Sequence, residues 1–108
     1  MTIPGDPFVV DVGLSEVKTG LADGSILLVD VREPHEFAAG HIPGSVSHPL
    51  SRFDASTLDV GERRVVFSCA AGIRSVRAIE LAEEAGLDWH EHYEGGFREW
   101  VLAGEPIG

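Results

Sequence analysis

The sequence predicts an α/β fold, in which a central parallel sheet of about five strands is flanked by helices on both faces. Short apolar runs alternate along the chain with segments whose apolar residues recur at helical spacing. The run at residues 26–29 is continuously apolar, which is typical of a strand buried on both faces of a parallel sheet. Because 108 residues suffice for one hydrophobic core and not for two, we expect a single domain over residues 1–108.

The first half of the chain predicts three strands and two helices. Residues 1–7 contain two prolines and a glycine and are expected to form a loose arm. Pro34 suits the first turn of a helix, where its missing N–H needs no partner, and Gly40 is expected to end that helix. The predicted elements are strands at residues 8–12, 26–29 and 45–48, helices at residues 15–23 and 34–39, and weak helical turns within residues 50–59.

The second half of the chain predicts two further strands, each followed by a helix. In the last helix, Phe97, Trp100 and Val101 are spaced to pack on the sheet, and Gly104 and Pro106 stop it. The predicted elements are strands at residues 64–68 and 89–93 and helices at residues 75–85 and 97–103.

The predicted strand at residues 89–93 carries two histidines, His90 and His92, on one of its faces. Two histidines at this spacing could bind a metal, but no further ligand set accompanies them, and a structural zinc site needs four ligands. We therefore interpret both side chains as facing solvent, and we expect neither a metal nor a cofactor.

The chain has one cysteine, Cys69, which lies where the strand at residues 64–68 ends and the loop to the next helix begins. Parallel sheets place their functional crevice at the carboxyl ends of the strands. Backbone N–H groups of the loop and the helix start would point at the sulfur, and Arg74 adds positive charge. Such surroundings lower the pKa of a cysteine from roughly 8.5 to roughly 3.5–7.5. Burial as a small hydrophobic residue is the alternative, but the preceding apolar strand and Gly72 in the loop favour a nucleophile.

The charge balance limits the partners of the protein. Eighteen acidic residues against eight basic ones give a formal charge of −10, which argues against binding to a nucleic-acid backbone or an anionic membrane surface. An anionic substrate must then be held by local positive charge, and we expect Arg74 and Arg77 to supply it near the cysteine.

The cysteine count and the apolar runs indicate the compartment. A single cysteine cannot form an internal disulfide, and no signal peptide pattern opens the chain. The apolar runs fall far short of the ~20 residues that a membrane-spanning helix needs. We expect a cytoplasmic protein, and a sulfur-bound intermediate on Cys69 would have to be discharged by an external acceptor.

Three uninterrupted blocks carry the most specific pattern of the chain. They are LVDVREPHEFAAGHIPGS at residues 28–45, CAAGIRS at residues 69–75 and GGFREW at residues 95–100. Together they resemble the amino-terminal signature, the active-site loop and the carboxyl-terminal motif of the rhodanese-like sulfurtransferase domains. The one departure noted is Ser45, where that family often has alanine. The resemblance implies the rhodanese-like version of the predicted fold.

The resemblance also implies a reaction, the transfer of a sulfane sulfur through a cysteine persulfide. Cys69 would take the sulfur from thiosulfate or a similar anionic donor and pass it to a thiol, to cyanide or to a protein acceptor, as in the thiosulfate sulfurtransferases. Arg74 would orient the donor, and the loop would stabilise the sulfur through its backbone N–H groups. The implied substrate-binding residues are Ala70, Ala71, Gly72, Ile73, Arg74 and Ser75.

A charged cluster follows the strand at residues 26–29. It contains Asp30, Arg32 and Glu33, at the end of a strand expected beside the one that precedes Cys69. We expect Asp30 to pair with an arginine and to cap backbone groups, because buried charges need partners; direct catalysis is the alternative. Arg32 is expected at most to help shape the rim of the pocket.

Two other functions stay open at this point. Related phosphatases use a cysteine–arginine loop around phosphate, but theirs is one residue longer than the six-residue loop from Cys69 to Arg74. A sulfur-carrier or regulatory module that binds another protein is the second alternative. Retention of Cys69 and Arg74 argues against an inactive binding module, although a carrier would also keep the cysteine.

Overall fold

Five strands form a single parallel sheet in the computed structural model, which describes residues 8–108. The strands are β1 (Val10–Val12), β2 (Ile26–Asp30), β3 (Val46–Ser47), β4 (Arg64–Ser68) and β5 (Glu91–Tyr93). Their spatial order is β1-β5-β4-β2-β3, and every neighbouring pair is parallel. The predicted arm at residues 1–7 lies outside the described residues.

Helices cover both faces of this sheet, which confirms the predicted fold class. They are α1 (Leu14–Asp23), α2 (Pro34–Ala39), α3 (Arg74–Glu84) and α4 (Gly96–Leu102), with 3-10 helices at Leu50–Arg52 and Ala55–Thr57. Val17 of α1 and Trp100 of α4 pack on one face, around Leu28 and Val66. On the other face, α3 and the segment with the 3-10 helices pack around Phe67 and Val29. The apolar strands β2 and β4 are therefore buried on both sides, as the sequence predicted for β2.

The register of the central strands brings their carboxyl ends together. β2 and β4 pair from Ile26 opposite Arg64 to Asp30 opposite Ser68. The Val31 N–H donates to the Ser68 carbonyl at 2.8 Å, which extends the pairing beyond the ladder. Cys69 therefore leaves the sheet beside the end of β2.

Some element ends differ from the predictions. β1 and β5 each begin two residues later than expected, and Trp89 lies outside the ladder with its ring centroid 6.3 Å from that of Phe67. α3 begins and ends one residue earlier than expected, at Arg74 and Glu84. Val101 was predicted to face the sheet, and this prediction is wrong: α4 turns Trp100 inward and leaves Val101 42% exposed.

Candidate active site

Cys69 lies immediately after β4, in the six-residue loop that leads into α3. The residue is only 1% exposed, so its sulfur lies at the base of the loop rather than on the surface. The Gly72 N–H donates to Sγ at 3.1 Å, and Ser75 Oγ lies 3.6 Å from Sγ. The sequence predicted backbone N–H groups at the sulfur, and the Gly72 N–H lies there; the Ser75 hydroxyl was not predicted to contact it.

Two opposing effects set the acidity of this thiol. Burial raises the pKa of Cys69, because the charged thiolate loses solvent. The Ser75 hydroxyl and the backbone N–H groups of Ser75, Ala71 and Gly72 lower it by donating to the thiolate. Their sum outweighs burial, so the pKa lies below the ordinary value for cysteine and a larger fraction of the sulfur is ionised at neutral pH.

The loop keeps its shape because Gly72 has no side chain. Gly72 adopts a φ of +83°, in the left-handed region that favours glycine. A Cβ atom at this position would collide with the carbonyl oxygen of Glu94, which follows β5. A tight loop around Sγ therefore requires glycine here for both its backbone conformation and its lack of volume.

The start of α4 holds the same loop in place through backbone hydrogen bonds. The Phe97 N–H donates to the Cys69 carbonyl at 2.9 Å, and the Arg98 N–H donates to the Ala70 carbonyl at 3.0 Å. Gly96 allows this close approach, since a Cβ atom on it would lie 2.6 Å from the Cys69 oxygen. Gly96 therefore supports the loop although it lies more than 25 residues later in the sequence.

Arg74 lies at the rim of the site and is held by a residue that the sequence analysis did not single out. Its guanidinium donates two hydrogen bonds to the Glu36 carboxylate, Nη1 to Oε1 at 2.7 Å and Nη2 to Oε2 at 3.0 Å. These bonds lower the pKa of Glu36 to about 2, against the partial burial that would raise it. Glu36 also accepts from the Glu33 N–H in the capping box of α2. The capping pattern was a visible signal, but it gave no hint of Arg74.

Arg77 was expected to supply positive charge near the cysteine, and this prediction is wrong. It lies on the exposed side of α3, where its Nη1 pairs with Glu80 at 3.4 Å and with Glu84 at 3.2 Å. Its partners Glu80 and Glu84 lie further along the same helix, so its guanidinium is directed along α3 and away from the loop at the helix start.

Asp30 and Arg32 form a buried ion pair at the end of β2. Both side chains are at most 5% exposed, and Arg32 Nη2 lies 2.7 Å from Asp30 Oδ2. Arg32 also donates to the Gly40 carbonyl at 2.8 Å, and its guanidinium carbon lies 4.4 Å from the ring centroid of Phe97. Asp30 accepts the Arg32 N–H as well. The pair therefore joins β2, the end of α2 and α4, and the expected partner of Asp30 is present.

His92 is the second residue whose position the sequence analysis missed. Its side chain is only 3% exposed, and the prediction that both histidines face solvent is wrong. Nδ1 lies 2.7 Å from Ser75 Oγ, and Nε2 lies 2.7 Å from Asp11 Oδ1. Asp11 stands opposite His92 in the β1–β5 register, and α3 covers this face of the sheet. His90 is half-buried and pairs with Asp88 at 2.9 Å.

The site combines a buried, N–H-bonded cysteine after a central parallel strand with a helix start that bonds to its loop at Gly96. Residues 13–103, which include all of these groups except Asp11, match the rhodanese-like domain family. The chain belongs to this family. The resemblance carried by the three sequence blocks is thereby confirmed.

Relatives of this rhodanese-like domain include named sulfurtransferases. A mouse (Mus musculus) thiosulfate sulfurtransferase/rhodanese-like domain-containing protein is 37% identical over 101 residues, which cover 80% of this chain and 64% of that protein. The human (Homo sapiens) thiosulfate:glutathione sulfurtransferase is 32% identical over 105 residues, which cover 83% of this chain and 91% of that protein. The chain spans less than two thirds of the mouse protein and 46% of the length of an uncharacterized Synechocystis relative.

A solved structure of a human single-domain sulfurtransferase has the same fold as this rhodanese-like domain. It matches with a TM-score of 0.73 and 31% sequence identity, and the match covers 85% of this chain and 95% of that one.

The part of this rhodanese-like domain that the structure describes contains neither a grouped set of metal ligands nor a membrane-spanning helix. Within residues 8–108, no three His, Cys, Asp or Glu side chains are grouped so that they could hold a metal ion. In the same range, no helix has the length and apolar character to span a membrane.

Proposed function

We propose that the domain is a thiosulfate sulfurtransferase, which moves a sulfane sulfur from thiosulfate or a similar donor to a thiol or cyanide acceptor through a persulfide on Cys69. The observation that carries this proposal is the environment of Sγ, which accepts the Gly72 N–H and has a lowered pKa despite its burial. The names of the related human and yeast proteins support thiosulfate as the donor and a thiol as the acceptor.

The first half of the reaction transfers sulfur to the enzyme. The Cys69 thiolate attacks the outer sulfur of thiosulfate, a new S–S bond forms, and the S–S bond of thiosulfate breaks. Sulfite leaves with the electron pair of the broken bond, so the charge of the thiolate moves to the outer sulfur of the persulfide. The loop N–H groups that bond to the thiolate can stabilise this persulfide as well.

The second half returns the enzyme to its starting state. A thiolate or cyanide ion attacks the outer sulfur, and the Cys69 thiolate leaves with the electron pair of the persulfide bond. The products are a new persulfide or thiocyanate, and the reaction needs no further oxidant or reductant. Cys69 is the only cysteine of the chain, so the acceptor must come from outside.

The remaining loop residues have distinct roles in this proposal. Arg74 orients the anionic sulfonate part of the donor, for which it must share or leave the Glu36 carboxylate. Ala70 and Ala71 carry small side chains that leave the entrance open, and Ile73 is 79% exposed at its edge, where an acceptor arrives. Ser75 contacts Sγ, while Asp30 and Arg32 support the neighbouring strand end.

The direct test is the intact mass of the reduced protein before and after incubation with thiosulfate. We expect a gain of one sulfur atom, which cyanide removes with release of an equal amount of thiocyanate. The Cys69→Ser variant is the matched control, because it keeps the size of the side chain and removes the nucleophile; it should show no gain. Sulfur addition to the Cys69→Ser variant, or no addition to the wild type from thiosulfate or a protein persulfide, would contradict the mechanism.

A further inference from the structure

A continuous chain of hydrogen bonds connects the buried sulfur to the surface. It runs from Cys69 Sγ to Ser75 Oγ at 3.6 Å, from Ser75 Oγ to His92 Nδ1 at 2.7 Å, and from His92 Nε2 to Asp11 Oδ1 at 2.7 Å. Ser75 is fully buried and His92 is 3% exposed, whereas the Asp11 side chain is 58% exposed. These hydrogen bonds therefore connect a buried sulfur atom to a solvent-exposed carboxylate.

The hydrogen-bond roles along this chain follow from its outer end. A carboxylate oxygen only accepts, so His92 Nε2 carries the proton that bonds to Asp11. In the neutral imidazole, Nδ1 is then an acceptor, and the Ser75 hydroxyl donates a hydrogen bond to it. Ser75 Oγ is left with its lone pairs toward Sγ, so it can accept from the Cys69 thiol but cannot donate to a thiolate.

A second arrangement of the same atoms fits the thiolate. If the Sγ proton passes to Ser75 Oγ while the Ser75 proton passes to His92 Nδ1, the imidazolium donates to Oγ and the Ser75 O–H donates to the thiolate. One proton has then moved from Sγ to Nδ1, no bond between heavy atoms has changed, and the positive charge faces Asp11. The two 2.7 Å distances are those of hydrogen bonds in either arrangement, and the longer Sγ–Oγ distance accommodates the larger sulfur atom.

We propose that Ser75, His92 and Asp11 form a relay that removes the proton from the Cys69 thiol and returns a hydrogen bond to the thiolate. The proposal rests on the proposed function, in which Cys69 is the nucleophile. Cys69 remains the catalytic residue, and His92 is a positioning residue that acts through Ser75. Both ring nitrogens of His92 are hydrogen-bonded, which offsets the cost of burying the imidazole beside Phe67.

The other charged groups around the relay have partners of their own. His90, just before β5, pairs with Asp88, and Glu91 points to the opposite face and pairs with Arg64 of β4. On α3, Arg74 pairs with Glu36, and Arg77 pairs with Glu80 and Glu84. Of the two described side chains that are hydrogen-bonded to His92, Asp11 is charged and Ser75 is neutral.

The test is a titration of the Cys69 thiolate by its ultraviolet absorbance, combined with the pH profile of sulfur transfer. Each spectrum is corrected with the corresponding Cys69→Ser protein, so that the signal comes from this one sulfur. The variants are His92→Asn, which cannot take up the proton, and Asp11→Asn, which removes the outer charge at an exposed position. His90→Asn is the matched control, because it removes a histidine two residues away without breaking the chain of hydrogen bonds.

We expect the thiolate of His92→Asn to titrate at higher pH than that of the wild type. Its kcat/KM at neutral pH should fall about 10²-fold, the lower end of the effect of a positioned proton acceptor, and should recover as the pH rises. A purely structural role for His92 would give a loss that alkaline pH does not restore. Asp11→Asn should shift the titration in the same direction by a smaller amount, and His90→Asn should match the wild type.

The two proposals can fail separately. A folded His92→Asn or Asp11→Asn protein with the wild-type titration would overturn the relay, even if persulfide still forms on Cys69. If the titration shifts as expected but no donor gives a persulfide, the relay stands and the proposed sulfur transfer fails. Should His92→Asn not fold, the exposed Asp11→Asn variant decides the question alone.

Discussion

Arg74 lies at the rim of the candidate site with its guanidinium already paired, because the Glu36 carboxylate accepts hydrogen bonds from both Nη1 and Nη2. In the proposed reaction, an anionic sulfur donor would compete with this carboxylate for the N–H groups of Arg74. Bidentate arginine–carboxylate pairs have a fixed geometry, so sharing between two anions weakens each contact. Glu36 is therefore suited to restrict how strongly the site binds anions.

The roles of this pair can be separated by two substitutions. Arg74→Ala should raise KM for thiosulfate about tenfold or more, since a charge-assisted pair of hydrogen bonds is lost, with little effect on an uncharged organic polysulfide donor. Glu36→Gln keeps the size of the side chain and removes the competing charge, so it should lower KM for thiosulfate severalfold. The measurement is steady-state kinetics with both donors. An equal loss with both donors in Arg74→Ala would rule out a donor-binding role.

At the scale of elements, the start of α4 acts on the active site through its backbone. The Phe97 and Arg98 N–H groups bond to the Cys69 and Ala70 carbonyls, and this contact depends on the absence of a side chain at Gly96. A helix that contributes no functional side chain to the sulfur still fixes where the sulfur lies.

Gly96→Ala should therefore damage both stability and activity. Gly96 has a φ of +63°, which costs a residue with a Cβ atom about 1–2 kcal/mol, and the new atom would also push against the Cys69 carbonyl. A shift of the loop by about 1 Å should lower kcat/KM about 10²-fold.

Gly104→Ala is the matched control for this change. Gly104 has a φ of +74°, but nothing lies within 4 Å of the position of its Cβ atom. We expect Gly104→Ala to lower the melting temperature of the protein through backbone strain but to leave the rate of sulfur transfer unchanged. Thermal unfolding and kinetics of the two variants give the comparison, and equal activity in both would show that the α4 contact does not position the loop.

The elements themselves could be predicted to different degrees. The bounds of β4 and α2 matched the prediction, because a bounded apolar run and a proline–glycine pair mark their ends locally. The starts of β1 and β5 could not be predicted, since a strand extends only as far as its neighbour, and β1 and β5 pair over three residues only. The alternation of side chains along β5 correctly placed His92 on the face opposite Glu91, but it could not show that α3 covers that face.

At the scale of the whole molecule, the net charge of −10 opposes the approach of an anionic donor. The longest extent of the described residues is 35 Å, and the Debye length is about 30 Å at 0.01 M salt and about 10 Å at 0.1 M. At low salt, the repulsion is therefore felt across the entire molecule, while at higher salt only nearby groups such as Arg74 act on the donor.

A dependence on ionic strength follows from this charge. Raising potassium chloride from about 0.01 M to about 0.1 M should increase kcat/KM for thiosulfate roughly two- to tenfold, because the long-range repulsion is screened. The same change should leave an uncharged polysulfide donor unaffected, which controls for effects of salt on the chemistry. A decrease with thiosulfate would mean that attraction to Arg74 outweighs the charge of the whole domain.

The long-range contacts of the site lay beyond what the sequence could predict. Cys69, its loop and Arg74 are contiguous, so local pattern and resemblance located them together. Glu36 meets Arg74 across 38 positions, and Asp11 meets His92 across 81. Only the order of strands in the folded sheet makes these residues neighbours.

The position of β1 at the edge of the sheet has a consequence for the order of folding. Among residues 8–108, β1 is the first strand and pairs with β5 alone, the last strand, so β1 can join the sheet only after β5 has formed. As the chain leaves the ribosome, β2, β3 and β4 can associate before β5 has been synthesised, but β1 cannot yet join them. Cys69 therefore acquires its hydrogen-bonded connection to Asp11 only when the sheet is complete, and partly folded forms carry the thiol without it.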